Sequence, residues 1–315
     1  MAAGGYAWWY VDALSDAQAD GSAFALTAIA FIGSVFSPYY AWARWRHGDA
    51  NVVAEQHCAL NLSLYRRAPG ASRYQRLWAM TERGAGQVQR SESHLQLGRS
   101  RLRWQADGLH IDIDEWTAPW PQRLRGHIHL QPGARPGQAF ALDGAGHHVW
   151  QPISPLARVA VDFQSPALRW QGEAYLDCNH GSRPLERDFD HWHWSRARQT
   201  DGSCRVLYDL CALDGQRRAV DLQLQTDGRF SARAPAPPCV LPTTAWGIAR
   251  YSQAPADAAP RVAATLESGP FYARSLLADR NGALAVHESL SLRRFRSPWV
   301  QAMLPFRMPR RAGTR

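Results

Sequence analysis

Acid, base and aromatic side chains are concentrated between residues 147 and 194 of this 315-residue sequence. This stretch holds five His, four Trp and an aspartate, Asp177, at the end of a strand-like segment. Alternation along residues 168–177 puts Tyr175 and Asp177 on a polar face that contacts either solvent or a cavity. Because a carboxyl group beside imidazole and indole rings can transfer protons, the sequence predicts acid–base chemistry in this region.

Two H-x-H pairs, His127/His129 and His191/His193, each place two imidazoles on one side of a strand, as a metal site requires. No acidic residue follows either pair at short spacing, so we interpret both as paired surface histidines and expect no metal or other cofactor. A G-x-S-x-G turn, a G-x-G-x-x-G turn and a P-loop are absent from the sequence, which disfavours serine hydrolase and nucleotide chemistry.

The composition excludes a disordered chain and a small disulfide-stapled protein. Hydrophobic residues make up 45% of the sequence, and 14 Trp supply more aromatic surface than an ordinary soluble domain buries, so we expect a bound apolar molecule. The five Cys are scattered without a C-x-x-C pair, which favours a reducing compartment. The first residues lack the pattern of a secretory signal, which favours a cytoplasmic location.

Positive charge is concentrated at the C-terminus. The net charge is +9, and residues 291–315 contain seven Arg and no acidic residue. Aromatic and aliphatic residues, including Trp299 and Phe306, are interspersed among these cations. Such a mixture suits the headgroup layer of an anionic membrane and suits nucleic acid less well, although a frayed basic terminus has the same composition. We predict peripheral membrane attachment through this tail and no nucleic-acid partner.

Strands dominate the predicted secondary structure because hydrophobic residues recur with a period of two. The segments with this period are 58–65, 109–113, 124–130, 158–163, 168–177, 189–198, 219–225 and 284–295. Gly, Pro, Asn and Asp fill the gaps between them, so we predict an all-β protein with roughly sixteen or more strands. The uncharged stretch at 24–43 contains Pro38 and many β-branched or aromatic residues, which favours a buried strand and a turn over a membrane span.

A weak internal repeat divides the chain in two. Tyr10-Val11-Asp12 and Tyr175-Leu176-Asp177 both lie in strands with Trp neighbours, 165 residues apart. We predict a boundary near residue 160 between two halves, each the size of a small antiparallel barrel that encloses an apolar ligand. A turn is expected at 179–181, after the second motif.

Five segments in a fixed order resemble the bacterial acyclic carotenoid 1,2-hydratases, also called hydroxyneurosporene synthases. These segments are Trp8-Trp9-Tyr10-Val11-Asp12, Ile32-Gly33-Ser34-Val35-Phe36-Ser37-Pro38-Tyr39-Tyr40, His148-Val149-Trp150, Tyr175-Leu176-Asp177-Cys178-Asn179-His180-Gly181 and Phe189-Asp190-His191-Trp192. The resemblance implies two lipocalin-like antiparallel β-barrel or β-sandwich domains in tandem, and the boundary predicted above puts them at 1–160 and 161–296. The basic amphipathic tail at 297–315 matches none of these segments. The resemblance also implies cofactor-free addition of water to the terminal double bond of lycopene- or neurosporene-type carotenoids.

By its motifs, the resemblance assigns catalytic importance to His148, Trp150, Tyr175 and Asp177. Hydration of an unactivated alkene needs a proton donor and proceeds through a tertiary carbocation. Burial among apolar rings raises the pKa of a carboxyl group, so Asp177 is our candidate acid, and the ring of Trp150 could stabilise the cation. Either His148 or Tyr175 would hold the attacking water and accept its proton, and the sequence leaves both open.

Four further residues from the same aromatic-rich region are expected to bind the apolar substrate. They are Trp170, His191, Trp192 and Trp194. The resemblance implies an enzyme at the cytoplasmic face of a photosynthetic bacterial membrane, where such a substrate lies. The alternative function is a non-catalytic lipocalin-like carrier of carotenoids or other isoprenoid lipids, because one fold can serve both roles.

Overall fold

The computed structural model describes residues 1–311, and most of them lie in β-strands, as predicted. Strands β1–β12 are Tyr6–Ser15, Ala23–Ile32, Cys58–Arg67, Gln75–Arg83, Val88–Arg90, His94–Leu97, Ser100–Gln105, Gly108–Trp116, Arg123–Gln131, Phe140–Ala141, His148–Ser165 and Ala167–Gly181. Strands β13–β22 are Phe189–Arg198, Cys204–Ala212, Arg217–Leu224, Phe230–Ala232, Pro238–Leu241, Arg250–Gln253, Arg261–Ser268, Tyr272–Ala278, Leu284–Ser291 and Arg310–Arg311. Helices α1–α3 are Pro38–His47, Leu292–Phe295 and Pro298–Met303. Short 3₁₀ turns span Asp49–Asn51, Ala54–Gln56, Ala85–Gln87, Leu185–Arg187, Ala256–Ala258 and Leu304–Phe306.

The chain contains two compact units. The first comprises Met1–Gly70, Arg76–Pro184 and Gln301–Arg315, and the second comprises Ala71–Gln75 and Leu185–Val300. The predicted boundary near residue 160 falls within β11, whereas the division between these units follows β12. Two lipocalin-like domains in tandem remain a prediction.

The first unit is built around one sheet that carries its apolar core. Among the described residues this sheet has 13 strands in the order β22-β4-β3-β2-β1-β12-β11-β9-β8-β7-β6-β5, with β10 paired to β11. Side chains alternate between the two faces of each strand. Val11 of β1, Leu60 of β3 and Leu176 of β12 belong to one buried apolar cluster. Each such side chain contributes about 1.5–3 kcal/mol when it is fully removed from water, so this face holds the unit together.

The uncharged stretch at 24–43 forms most of β2 and then a turn, as predicted, but its last six residues begin α1, which the strand-and-turn interpretation did not include. Helix α1 begins at Pro38. The N–H of a first helical residue has no acceptor within the helix, so proline, which lacks this N–H, is favoured at that position. The Oγ of Ser37 accepts hydrogen bonds from the backbone N–H groups of Tyr39 and Tyr40 and caps the helix. Within residues 1–311, no helix has both the length and the apolar character needed to cross a bilayer.

The second unit contains a seven-stranded sheet and a two-stranded sheet within the described residues. The larger sheet has the order β16-β15-β14-β13-β21-β20-β19, and the smaller one pairs β17 with β18. Strand β13, at the centre of the larger sheet, has the predicted bounds of 189 and 198. The strand predicted over 284–295 is wrong at its end, because β21 stops at Ser291. The Oγ of Ser291 accepts a hydrogen bond from the backbone N–H of Arg294 and caps α2.

Much of the predicted C-terminal tail, from Gln301 onward, is folded into the first unit. Strand β22 pairs in parallel with β4, and the guanidinium of Arg310 forms an ion pair with Glu82. Met308 is buried, whereas Phe306 is 75% exposed. Only part of the predicted amphipathic tail therefore presents apolar surface, and Arg315, which the prediction included, lies outside the described residues.

Candidate active site

Asp177 is a buried carboxyl group that accepts two hydrogen bonds at the same oxygen. The indole Nε1 of Trp150 donates to Oδ2 over 2.8 Å, and the hydroxyl of Tyr175 donates to Oδ2 over 2.9 Å. Trp150 and Tyr175 are fully buried, and Asp177 is 3% exposed. Three of the four predicted catalytic residues thus form one hydrogen-bonded group in the first unit.

Strand pairing explains how residues 27 positions apart meet at this carboxyl group. Strand β11 is antiparallel to β12, with Trp150 opposite Asn179 and Pro152 opposite Asp177. Trp150 is therefore a diagonal neighbour of Asp177, and a long side chain can span that separation. Tyr175 lies two residues before Asp177 on β12, so both side chains point to the same face.

His148 is positioned at the beginning of β11 by contacts with two other strands. Its Nδ1 is 2.9 Å from the hydroxyl oxygen of Tyr6 on β1, and the two rings are stacked. Opposite it on β12 is Gly181, where a Cβ atom would lie 2.9 Å from Nδ1 and 2.5 Å from the ring of Tyr6. Glycine leaves room for both rings. Because β12 continues through Gly181 to make this contact, the turn predicted at 179–181 is wrong.

Two titratable neighbours of the site have shifted pKa values. Burial raises the pKa of Cys178 to about 12, so this thiol stays neutral and is not a nucleophile. Burial also acts to raise the pKa of Asp143. Hydrogen bonds from the backbone N–H groups of His148 and His147 outweigh burial and hold the pKa of Asp143 below its usual value. The ionised Asp143 therefore fixes the start of β11 at neutral pH.

Strand β1 contributes a second Tyr-x-Asp motif to the same face, which sequence reasoning did not assign to the site. In the antiparallel β1–β12 pair, Tyr10 lies opposite Asp177 and Asp12 lies opposite Tyr175. The rings of Tyr10 and Tyr175 meet edge to face at 6.2 Å, and Asp12 is 1% exposed. The repeated motif was the available signal, but its two copies are neighbours in one sheet and not equivalent strands of two domains.

The proposed site lies on the sheet face opposite the apolar core of the first unit. Leu176 belongs to the core cluster, and alternation directs the neighbouring Asp177 to the other face of β12. A cavity of about 130 Å³ lies on the core side, and its lining includes Trp9, Leu102 and Leu176. A ligand in that cavity would be separated from Asp177 by the sheet.

The four predicted substrate-binding residues divide between the two units. Trp170 belongs to the core cluster of the first unit, on the face of β12 away from Asp177. Trp192, Trp194 and His191 lie on β13 of the second unit, where both Trp side chains are buried on one face and His191 points to the other. Their roles in substrate binding stay predictions.

Side chains with metal-ligand geometry occur elsewhere in the first unit. The ligand atoms of Asp107, His110 and His129 all lie within 4.8 Å of one another. One member of this group, His129, belongs to an H-x-H pair. None of the four predicted catalytic residues is in the group.

The fold is shared with solved structures of low sequence identity. A crystal structure from Nitrosomonas europaea, provisionally identified as AttH, matches with a TM-score of 0.57 and 15% identity over 91% of this chain and 92% of that chain. Kievitone hydratase from Nectria haematococca matches with a TM-score of 0.52 and 7% identity over 90% of this chain and 88% of that chain. Together with the strand content, these matches define the class as a mostly-β, lipocalin-like fold, as predicted.

Sequence comparison places the chain within a family. The family model for carotenoid hydratase CrtC matches residues 28–315, so the chain belongs to the carotenoid hydratase family. The acyclic carotenoid 1,2-hydratases of Thiocapsa roseopersicina and Rubrivivax gelatinosus are 49% and 42% identical to it, each over 98% of this chain and 74% of the relative. The enzyme of the same name from Rhodobacter capsulatus is 37% identical over 90% of this chain and 98% of the relative. The predicted resemblance, and with it the prediction of a carotenoid hydratase, is confirmed.

Proposed function

We propose that this protein adds water to the terminal double bond of an acyclic carotenoid, with Asp177 as the acid. Its relatives are named acyclic carotenoid 1,2-hydratases, which gives the substrate class. The observation that carries the mechanism is the buried Asp177 carboxyl group with both hydrogen bonds at Oδ2. Because the terminal alkene has no polar substituent, its activation requires a proton donor held in a water-poor environment.

The neutral form of Asp177 would carry its proton on Oδ1. Oδ2 accepts hydrogen bonds from Trp150 and Tyr175, and these occupy both of its lone pairs. Burial disfavours the charged form of a carboxyl group, whereas the two hydrogen bonds donated to Oδ2 favour it. Our proposal is that burial prevails, so that the resting enzyme holds the neutral acid. The two donors also fix the plane of the carboxyl group, which aims Oδ1 in one direction.

Hydration begins when Oδ1 of Asp177 gives its proton to the less substituted carbon of the terminal double bond. The π electrons form the new C–H bond, and the neighbouring carbon becomes a tertiary carbocation. The ring of Trp150 can stabilise this cation by about 2 kcal/mol or more when water is excluded. A water molecule then forms the C–O bond with the cation and must lose one proton.

Tyr175 returns a proton to Asp177. Its hydroxyl donates to Oδ2 over 2.9 Å, so it can pass its hydrogen to the carboxylate while it takes one from the attacking water. His148 is separated from Asp177 by four residues along β12, which is roughly 13 Å along the strand. We therefore assign His148 to the wall of the site. This transfer leaves the proton of the acid on Oδ2. A half-turn of the carboxyl group about its Cβ–Cγ bond then brings the protonated oxygen to the position from which it donates. The net reaction consumes one water molecule and needs no redox cofactor or metal.

We also propose that the exposed part of the C-terminal segment contacts the membrane in which the substrate dissolves. Phe306 is 75% exposed, and Arg307 beside it is also exposed. Trp42 and Trp45 of α1 expose two more rings in the same unit, and α1 contacts the turn at Leu304–Phe306. Aromatic rings beside cations suit the headgroup layer of an anionic membrane, so the protein would bind peripherally at the cytoplasmic face.

Incubation of the full-length protein with lycopene in water enriched in heavy oxygen separates a hydratase from a carrier. The hydratase yields a tertiary alcohol that contains heavy oxygen, which mass spectrometry detects. A carrier binds the pigment and returns it unchanged. Recovery of bound but unreacted lycopene and neurosporene, under conditions in which a relative such as the Rubrivivax gelatinosus enzyme turns over, would overturn the proposal.

A further inference from the structure

Asp107, His110 and His129 bring three metal-ligand side chains together in the first unit, away from the proposed active site. We propose that they bind a divalent transition-metal ion of the zinc class. Oδ1 of Asp107 is 2.9 Å from Nε2 of His110, and Oδ2 is 3.4 Å from Nε2 of His129. In a tetrahedral zinc site with bonds of about 2.0–2.2 Å, neighbouring ligand atoms are about 3.3–3.6 Å apart. One ligand atom of each side chain lies within 4.8 Å of the others, so the three side chains must move closer together by up to about 1.5 Å to hold one ion.

The topology of β7, β8 and β9 creates this grouping. Asp107 lies in the two-residue turn that joins β7 to β8, because Gln105 pairs with Gly108 across it. His110 of β8 is directly opposite His129 of β9, and the two rings stack at 4.3 Å. The carboxylate thus comes from the turn that precedes β8, and not from the residues that follow His129.

A chain of hydrogen bonds from His127, Asp112 and Arg103 orients His110. Its Nδ1 is 3.2 Å from Nε2 of His127, whose Nδ1 is 2.9 Å from Oδ1 of Asp112. The other oxygen of Asp112 accepts a hydrogen bond of 2.7 Å from Arg103. In metalloproteins, such a relay fixes the ring and tautomer of a ligating histidine. In this protein His127 contacts Nδ1 of His110, and Nε2 of His110 points toward Asp107.

The ligand set and its exposure indicate the kind of ion and its role. Two imidazoles and one carboxylate suit Zn²⁺, Co²⁺, Ni²⁺ or Cu²⁺ better than Mg²⁺ or Ca²⁺, which prefer oxygen ligands. The side chain of Asp107 is 59% exposed, so an ion can enter from solvent and water can complete its coordination. The bound ion would join the β7–β8 turn to β9 and stabilise this part of the sheet.

Zinc titration of the chelator-treated full-length protein, in competition with a chromophoric chelator, tests the site. We expect one equivalent of Zn²⁺ to bind, and Co²⁺ in its place to give visible absorption bands of a low-coordinate complex. Asp107→Asn and His129→Ala should lose this equivalent, and His127→Ala should weaken binding about 10- to 100-fold. His47→Ala, which removes an exposed histidine of α1, should bind as the wild type does.

Folding of each variant is checked by circular dichroism and by its melting temperature without metal. Asp107→Asn changes an exposed turn residue, so it keeps the test valid even where His129→Ala unfolds. Zn²⁺ should raise the melting temperature of the wild type but not that of Asp107→Asn. Failure of the wild type to bind stoichiometric Zn²⁺, or retention of that equivalent by both ligand variants, would overturn the proposal.

Discussion

Tyr10 lies directly opposite Asp177 in the pairing of β1 with β12, and the same register puts Asp12 opposite Tyr175. The two Tyr-x-Asp motifs therefore face each other in reverse order across one antiparallel pair. Trp150 reaches the same carboxyl group from β11, on the other side of β12. The proposed acid thus has aromatic neighbours on both flanking strands, and the removal of water by these rings acts to keep the carboxyl group uncharged.

Trp150→Phe should lower turnover while preserving the fold. The change keeps an aromatic ring but removes the Nε1 donor to Asp177, which costs about 1–3 kcal/mol of hydrogen-bond stabilisation. We expect kcat to fall about 5- to 150-fold, as this free energy implies. Trp78→Phe is the matched control, because it removes an indole hydrogen bond to Asn61 in the same unit. Equal activity losses in the two variants would contradict a specific role for the Trp150 contact.

Tyr175→Phe and His148→Gln distinguish the two candidate proton acceptors. If Tyr175 passes a proton to Asp177, its loss should lower kcat by about 100-fold or more, the usual contribution of a positioned acid–base group. His148→Gln should mainly disturb its contact with Tyr6 and reduce kcat less. Steady-state kinetics on dispersed lycopene measures both variants. A larger loss of kcat in His148→Gln than in Tyr175→Phe would assign the proton transfer to His148.

Acid should destabilise the second unit between about pH 6.5 and pH 4. Burial lowers the pKa of His287 to about 4 and lowers the pKa of His193 well below its usual value. In the unfolded chain both imidazoles take up protons below about pH 6.5, whereas the folded protein keeps them neutral. The free energy of unfolding therefore falls as the pH falls through this window, by about 3 kcal/mol for His287 alone.

Urea denaturation of wild type and His287→Gln at pH 7 and pH 4.5 measures this effect. Glutamine supplies an amide donor in place of the imidazole Nε2 that lies 2.7 Å from the carbonyl oxygen of Tyr251, but it does not titrate. The variant should lose less stability than the wild type between the two pH values. An unchanged pH dependence in the variant would show that His287 is not the group responsible.

Phe306→Asp should weaken binding to anionic vesicles about tenfold or more, because burial of a Phe side chain contributes about 1.5–3 kcal/mol. Flotation with phosphatidylglycerol vesicles measures the bound fraction. Val240→Asp is the control, since Val240 is 77% exposed and lies in the second unit. A point substitution is preferable to deletion of 297–315, because deletion removes Met308 and Arg310 from the first unit. Unchanged flotation of Phe306→Asp would exclude this contact.

The strands were predictable from sequence because alternation is a local property. The segment at 189–198 was predicted with the bounds that β13 has, and the segment at 58–65 lies within β3. The local sequence pattern gave a wrong prediction where pairing with distant residues determines the backbone conformation. Gly181 was expected in a turn, yet it stays in β12, where it pairs with Tyr6 of β1 and His148 of β11.

The residues of the proposed site could be named from the sequence, but their arrangement could not be predicted from it. Three of the four motif residues form one hydrogen-bonded group at Asp177, and their catalytic roles stay predictions. The contact between Trp150 and Asp177 depends on the register of two strands, and a shift of one residue would move one side chain to the other face. The place of Tyr10 opposite Asp177 depends on a pairing between the beginning and the middle of the chain, which no local pattern specifies.

The most direct test of Asp177 as the proton donor compares the wild type with Asp177→Asn on lycopene in deuterium oxide. Asparagine has nearly the same shape but has no acidic proton to give. The wild type should form a tertiary alcohol with one deuterium on the carbon next to the alcohol carbon, as mass spectrometry and NMR would show. Asp177→Asn should lose about 1,000-fold or more of this activity with little change in its circular dichroism spectrum. Deuterated alcohol formed by Asp177→Asn at the wild-type rate would contradict the assignment of the acid.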